Sequence, residues 1–207
     1  MQNCTNKPKI LIGVPVQMDR KADLATGIFC GRMSAHTNVD FLSKIAHKTE
    51  DARNLIIKDF LAMPDYTHLF FLDADTVPPD DAIARLLTHD KDIVAGVTPM
   101  FFGGMKLWNA AMSIDFDIRR NRWIPRHCLP TKLFSPYAIG GTTILIKRHV
   151  LEALEWPYFL SSMDETGFRI GEDVYFADKA RCAGFQLWCD PNVRCHHFQT
   201  RDLEELL

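Results

Sequence analysis

Four nearly unbroken apolar runs constrain the fold of this chain more than any other feature. They are Ile10–Val16 (ILIGVPV), Thr67–Leu72 (THLFFL), Asp92–Val97 (DIVAGV) and Thr142–Ile146 (TTILI). Such short runs, rich in β-branched or aromatic residues, read as strands. A strand that is apolar throughout has both faces buried, which requires helices above and below its sheet. The stretch Glu50–Met63 supplies one such helix, with Ala52, Leu55, Ile56, Phe60 and Met63 at helical spacing. Pro64 ends it. Asp23–Met33 is weakly helical, Asn38–Leu42 reads as a second strand, and Pro78-Pro79 opens a helix reaching about Thr88. Alternation of strand and helix over the first hundred residues predicts an α/β domain with a mostly parallel central sheet.

The second half is less regular. Lys106–Asp117 is mixed and Gly103-Gly104 marks a turn. Gly140-Gly141 precedes the fourth run, and His149–Leu154 forms a short helix. A longer helix, Ile170–Ala183, stops at Gly184, and Phe185–Cys189 and Val193–Cys195 are short strands. A chain of 207 residues suits one domain. Its net charge of -2 argues against a strongly basic nucleic-acid surface. Arg119, Arg120, Arg122 and Arg126, clustered around Trp123, read as a solvated loop. No apolar run approaches the ~20 residues that span a bilayer, and the polar leader carries no signal-peptide pattern. None of the six cysteines forms a C-x-x-C pair, so a reducing cytoplasm is the expected compartment.

The sharpest local signal is Leu69–Asp75, LFFLDAD, where a buried strand delivers two aspartates to its carboxyl end. Ligands of open α/β sheets bind outside the carboxyl ends of strands. Carboxylates two residues apart repel unless a cation lies between them. A hard divalent ion, Mn²⁺ or Mg²⁺, suits oxygen ligands and leaves positions open for diphosphate oxygens. The alternative is that Asp73 or Asp75 only caps the helix after Pro78.

A second acidic pair, Glu172-Asp173, follows Gly171 at the start of a helix. There the helix dipole favours ionised carboxylates. Asp173 is the candidate general base, with Glu172 as a positioning neighbour or second candidate; simple capping is the alternative. His196-His197 follows the last strand, and a neutral imidazole can ligate manganese or zinc. Trp108, Trp123, Trp156 and Tyr158 offer stacking faces, although aromatics at such positions more often pack.

In order, VPV, ARN, LFFLDADTVPP, IGGTTILIKR, GEDVYFADKARCAGF and CDPNVRCHH resemble the glycosyltransferases of the GT-A fold, and most nearly the family 2-like enzymes of phages and bacteria. The likeness runs from about Ile10 to His197. It implies a Rossmann-like fold with helices on both faces of the sheet. It implies that Pro15 and Val16 line the nucleotide pocket and that Arg53 lies near the donor. Asp73 and Asp75 match the D-x-D motif, the second ligating the metal directly. Gly140 and Gly141 match a small-residue turn beside the donor sugar and acceptor. Asp173 matches the catalytic base, and His197, with His196 as alternative, matches the late metal-binding histidine. Two features depart from the family: Asp40 is only a loose candidate for the aspartate that reads uracil, and no Q-x-x-R-W motif is present. With the sequence ending at Leu207, a C-terminal acceptor module, a membrane helix and processive polysaccharide synthesis are not expected.

The resemblance therefore implies a single transferase domain over residues 1–207. A nucleotide-binding half spans about 9–100 and an acceptor and catalytic half about 101–207. The reaction implied is metal-dependent transfer from a nucleotide-diphosphate sugar, a UDP-sugar by preference, to a hydroxyl acceptor, with inversion if Asp173 is the base and a retaining mechanism open if it is not close to the acceptor. The acceptor class stays open among a glycan, a protein, a metabolite and a modified DNA base. Two rivals are a nucleotidyltransferase, which would want a glycine-rich loop where VPVQMDRK stands, and a non-catalytic sugar-nucleotide or carbohydrate-binding module.

Overall fold

The computed structural model describes residues 7–198, apart from 103–104, 112–115, 118–121, 124–127, 164, 166 and 168. Six strands form the central sheet: β1 (Ile10–Gln17), β2 (Val39–Ala46), β3 (His68–Leu72), β4 (Ile93–Val97), β5 (Thr143–Lys147) and β6 (Leu187–Arg194). Their order is β6-β4-β5-β3-β1-β2. β1 runs parallel to β2 and β3, and β6 parallel to β4; β5 alone is antiparallel to its neighbours. Among the described residues five helices complete the frame: α1 (Leu24–Met33), α2 (Thr49–Ala62), α3 (Ala82–Thr88), α4 (Arg148–Ala153) and α5 (Glu172–Cys182).

The apolar runs are unbroken because each successive side chain enters a different core. Leu69 and Phe71 of β3, with Ile144 and Ile146 of β5, pack against α2, α4 and α5 through Ile56, Phe60, Leu151 and Phe176. Phe70, Leu72 and Leu145 turn to the other face, where α1 and α3 supply Phe29, Ile83 and Leu86. This is the period-two consequence of strand geometry with both faces covered. β2 lies at an edge and is covered less; Phe41 and Ile45 are exposed.

Several boundaries move for local reasons. α3 begins at Ala82 rather than Pro78, because a residue before proline is driven out of the helical region and Thr76–Val77 is drawn into pairing with His196–His197. α5 begins at Glu172 because Arg169–Ile170 pairs with Ser162–Met163. It ends as expected, with Gly184 in the left-handed region at φ +89°. The two expected late strands are one, β6, with an irregular register between Cys189 and Arg194. Pro99–Phe102 and Met105–Trp108 form a hairpin. The expected Gly103-Gly104 turn, Arg119, Arg120 and Arg126 lie outside the described residues, as does the Trp123 side chain.

β6 closes tightly over β4. A Cβ built on Gly96 would meet the Val193 carbonyl oxygen at 2.7 Å, and that atom is backbone. Gly96→Ala is therefore expected to lower unfolding stability by about 1–3 kcal/mol, the usual cost of overpacking, as a reduced midpoint in urea. An unchanged midpoint would show that β6 yields.

Candidate functional site

The acidic pairs, Gly141 and the late histidines collect where β1 and β3 end. β1 and β3 deliver their carboxyl ends there. Because β5 is antiparallel, Thr143 pairs with Leu72, so the preceding Gly140–Thr142 turn lies at the same edge. The Asp73 amide donates to the Thr142 carbonyl at 3.1 Å. Asn109, buried, holds this turn by donating to the Thr142 hydroxyl at 3.1 Å while accepting the Thr98 amide at 2.9 Å.

Asp73, Ala74 and Asp75 form a tight turn closed by a Thr76 amide bond to the Asp73 carbonyl at 3.1 Å. α1 braces it from behind: the Asp23 amide donates to the Ala74 carbonyl at 2.7 Å and the Thr26 hydroxyl to the Thr76 carbonyl at 3.0 Å. Neither aspartate caps a helix. The residue before α3 is Asp81, and it makes no side-chain cap bond. The capping alternative is thereby removed.

A short antiparallel pairing carries the late histidines to this turn, with His197 opposite Thr76 and the Phe198 amide bonded to the Asp75 carbonyl at 2.8 Å. His197 Nε2 lies 3.5 Å from Asp75 Oδ2. Its Nδ1 is 2.9 Å from the Pro99 carbonyl. A carbonyl only accepts, so Nδ1 carries the proton and Nε2 faces the carboxylate. Two lone pairs cannot face one another stably, so a proton or a metal ion belongs between them. Without a metal, the Asp75 hydrogen bond comes first in holding His197 above the usual imidazole range. Burial pushes Asp75 up, but the bond to His197 and its charge bring the carboxyl below its ordinary value. His196, the neighbouring strand residue, is exposed.

The donor set of one carboxylate and one imidazole suits Mn²⁺. The 3.5 Å between the two atoms would let both face one ion. No group of three His, Cys, Asp or Glu poised for a metal exists among the described residues. Asp73 is bound differently, with Oδ1 held by Arg53 Nη2 at 2.8 Å.

Arg53 lies on α2 with only 2% of its side chain exposed. Its Nη1 donates to Glu172 Oε1 at 3.1 Å and to Asp173 Oδ1 at 3.0 Å. Asp173 Oδ1 also accepts the Gly141 amide at 3.0 Å. The side chain thus turns outward from α5 to the Gly141 turn, and Gly171, not an acidic residue, stands at the cap. The expectation that the helix dipole keeps Asp173 readily ionised does not hold. Burial first, opposed by Arg53 and then reinforced by Glu172 and Asp73, pushes its carboxyl up to about 7. A dipole contribution of about 0.3–1 kcal/mol is too small to offset this. A carboxyl at that value is half ionised near neutral pH, which suits proton abstraction.

Pro15 and Val16 line a cleft together with Asp73 and Asp75. Arg20 and Lys21 line it too, and neither was singled out by the sequence, because only the fold brings them beside the aspartates. Asn54, next to Arg53, was also missed. It is buried and clamps the chain at Tyr158 and Phe159 through three hydrogen bonds of 2.7–3.1 Å. Gly141 is at the site, whereas Gly140 packs against Asn109. Arg53 sits behind the carboxylates rather than on the cleft surface. Asp40 pairs in register with Leu11, toward the far end of the sheet, and accepts the Tyr66 hydroxyl at 2.8 Å. That position does not fit uracil reading. Of the aromatics, Tyr158 is buried in the core, Trp108 packs partly against it and Trp156 is exposed.

A family model described as glycosyltransferase like family 2 matches residues 36–207. Among solved structures, the crystal structure of A197 from STIV is similar, with a TM-score of 0.67 at 20% identity over 93% of this chain and 86% of that one. The crystal structure of GalNAc-T7 with UDP, GalNAc and Mn²⁺ is similar with a TM-score of 0.60 at 12% identity. That match covers 96% of this chain but only 45% of the other. A search of curated proteins gave no match. No helix among the described residues is long and apolar enough to cross a membrane. The described cysteines, Cys30, Cys128, Cys182, Cys189 and Cys195, form no disulfide.

Proposed function

Because this chain belongs to the family 2-like glycosyltransferases and carries their GT-A fold, we propose that it moves a sugar from a UDP-sugar to a hydroxyl acceptor with inversion at the anomeric carbon. Residues of about 9–100 hold the nucleotide, with Pro15 and Val16 beside it, and about 101–207 bring the acceptor and the base. Asp75 and His197 hold Mn²⁺ or Mg²⁺. The observation that carries this reading is the His197 side chain, anchored through Nδ1 and aimed through Nε2 at Asp75. The similar GalNAc-T7 structure, which contains UDP and Mn²⁺, supports the choice of ligands.

When bound, the metal ion would offset the negative charge that grows on the departing diphosphate. Arg20 and Lys21, in the same cleft, add fixed positive charge toward those oxygens. Asp173 takes the proton of the acceptor hydroxyl as that oxygen attacks the anomeric carbon. The bond from that carbon to the donor diphosphate breaks, and its electrons leave with UDP. The Gly141 amide holds Asp173 Oδ1 at 3.0 Å, which fixes the carboxylate during the transfer.

The test is product analysis with a panel of UDP-sugars. Chelator is expected to abolish UDP release and Mn²⁺ to restore it. Full release in chelator removes the metal from the reaction. Release of pyrophosphate instead of UDP replaces the reading with nucleotidyl transfer, and no turnover of any donor favours a binding module.

A further inference from the structure

Arg53 is the largest fully buried side chain of the described residues, and it is charged. Three carboxylates from separate parts of the chain converge on it: Asp73 from the end of β3, and Glu172 and Asp173 from the start of α5. Its surroundings are shaped to it. A Cβ on Gly141 would lie 2.8 Å from the guanidinium carbon and 3.0 Å from Asp173 Oδ1. The guanidinium carbon lies 5.3 Å from the centre of the Phe159 ring, which stacks on Phe176 of α5 at 4.7 Å. Asn54, the next residue of α2, fixes Phe159 through its backbone. Among the described residues Nε of Arg53 has no hydrogen-bond partner, so the hydrogen bonds that hold the side chain come from its two terminal nitrogens.

We propose that Arg53 is a positioning residue and not a donor ligand: its planar fork sets the distance and orientation between Asp73, at the donor turn, and Asp173, the base. The inference rests on the proposed reaction for its meaning, but the geometry stands without it. A guanidinium presents Nη2 to Asp73 and Nη1 to both acids of α5 at fixed angles. Lysine offers one point charge and cannot span the two sides. Displacement of Asp173 relative to the donor by even about 1 Å costs rate without costing affinity.

The groups facing Asp173 are Arg53 from α2, Glu172 from its own helix, Asp73 from the donor turn and the Gly141 amide from the turn before β5. That amide reports on the carboxylate it touches. In a ¹⁵N-labelled sample the Gly141 signal is expected to shift with pH through an inflection near neutrality. In Arg53→Met, where that cation is gone, the inflection is expected to move up by more than one pH unit. In Arg53→Lys the signal itself is expected to move, because the Asp173 orientation changes. An unmoved signal and inflection in both variants overturns the proposal. This measurement needs no donor, so its failure is distinct from failure of the transferase reading. Should Arg53→Met not fold, Arg53→Lys carries the test, since it keeps the positive charge and removes only the planar fork. It is expected to keep affinity for UDP with Mn²⁺ within about threefold, while UDP-sugar turnover falls at least tenfold by the misplacement argument. Turnover within twofold of the parent overturns the proposal, and so does loss of UDP binding, which would make this a donor-contact region.

Discussion

Asp173→Asn is expected to reduce turnover by about 10²–10⁴-fold, the usual contribution of a general base, while leaving the affinity for UDP with Mn²⁺ nearly unchanged. The amide keeps the shape of the carboxyl and can still face Arg53 and Gly141, yet it cannot accept a proton. The pH dependence follows from the same residue. Burial raises the carboxyl to about 7, so the reactive ionised form is lost as pH falls through that value. The parent kcat/KM is expected to decline about tenfold per pH unit on the acidic side, and the residual activity of the variant should lack that limb. Near-parental turnover in Asp173→Asn moves the base elsewhere, with Glu172 next in line, since it shares Arg53 Nη1 at 3.1 Å. Loss of UDP binding instead assigns Asp173 to the donor pocket and removes the main support for inversion.

Asp75→Ala is expected to fail in the opposite way. It leaves His197 Nε2 without its carboxylate partner and takes away the negative charge that retains a divalent ion. Removing a mere orienting partner of a metal ligand costs about 10–100-fold in affinity, and removal of a direct ligand should exceed that. Calorimetry with UDP should show strong, Mn²⁺-dependent binding in the parent and weak binding, indifferent to chelator, in the variant. His197→Ala should behave likewise, whereas His196→Ala, at an exposed position, should bind as the parent does. Parental, chelator-sensitive UDP binding in Asp75→Ala places the ion elsewhere.

The amino-acid sequence by itself determined the layers of this protein. Apolar runs such as LFFL and ILIGV can be satisfied only between two helical layers, and Phe70 and Phe71 do enter opposite cores. It also determined that two aspartates follow β3, because strand length and the D-A-D spacing are local facts. β2 was legible only in part, since an edge strand with Asp40, Ser43 and Lys44 carries little apolar signal. The direction of β5 was not legible, because a buried strand reads the same both ways along its hydrogen bonds. Yet that reversal brings Gly141 to Asp73's edge of the sheet. The choice between His196 and His197 was likewise tertiary: a two-residue pairing with Thr76–Val77 decides which ring faces Asp75. Arg53 shows the division most sharply. Its place on a helix is a local fact, but only the meeting of α2 with the turn 20 residues on and with α5 about 120 residues on supplies the three carboxylates that make a buried guanidinium stable. The raised Asp173 carboxyl has the same origin, since burial is set by neighbours distant in sequence and the helix dipole by neighbours close in it.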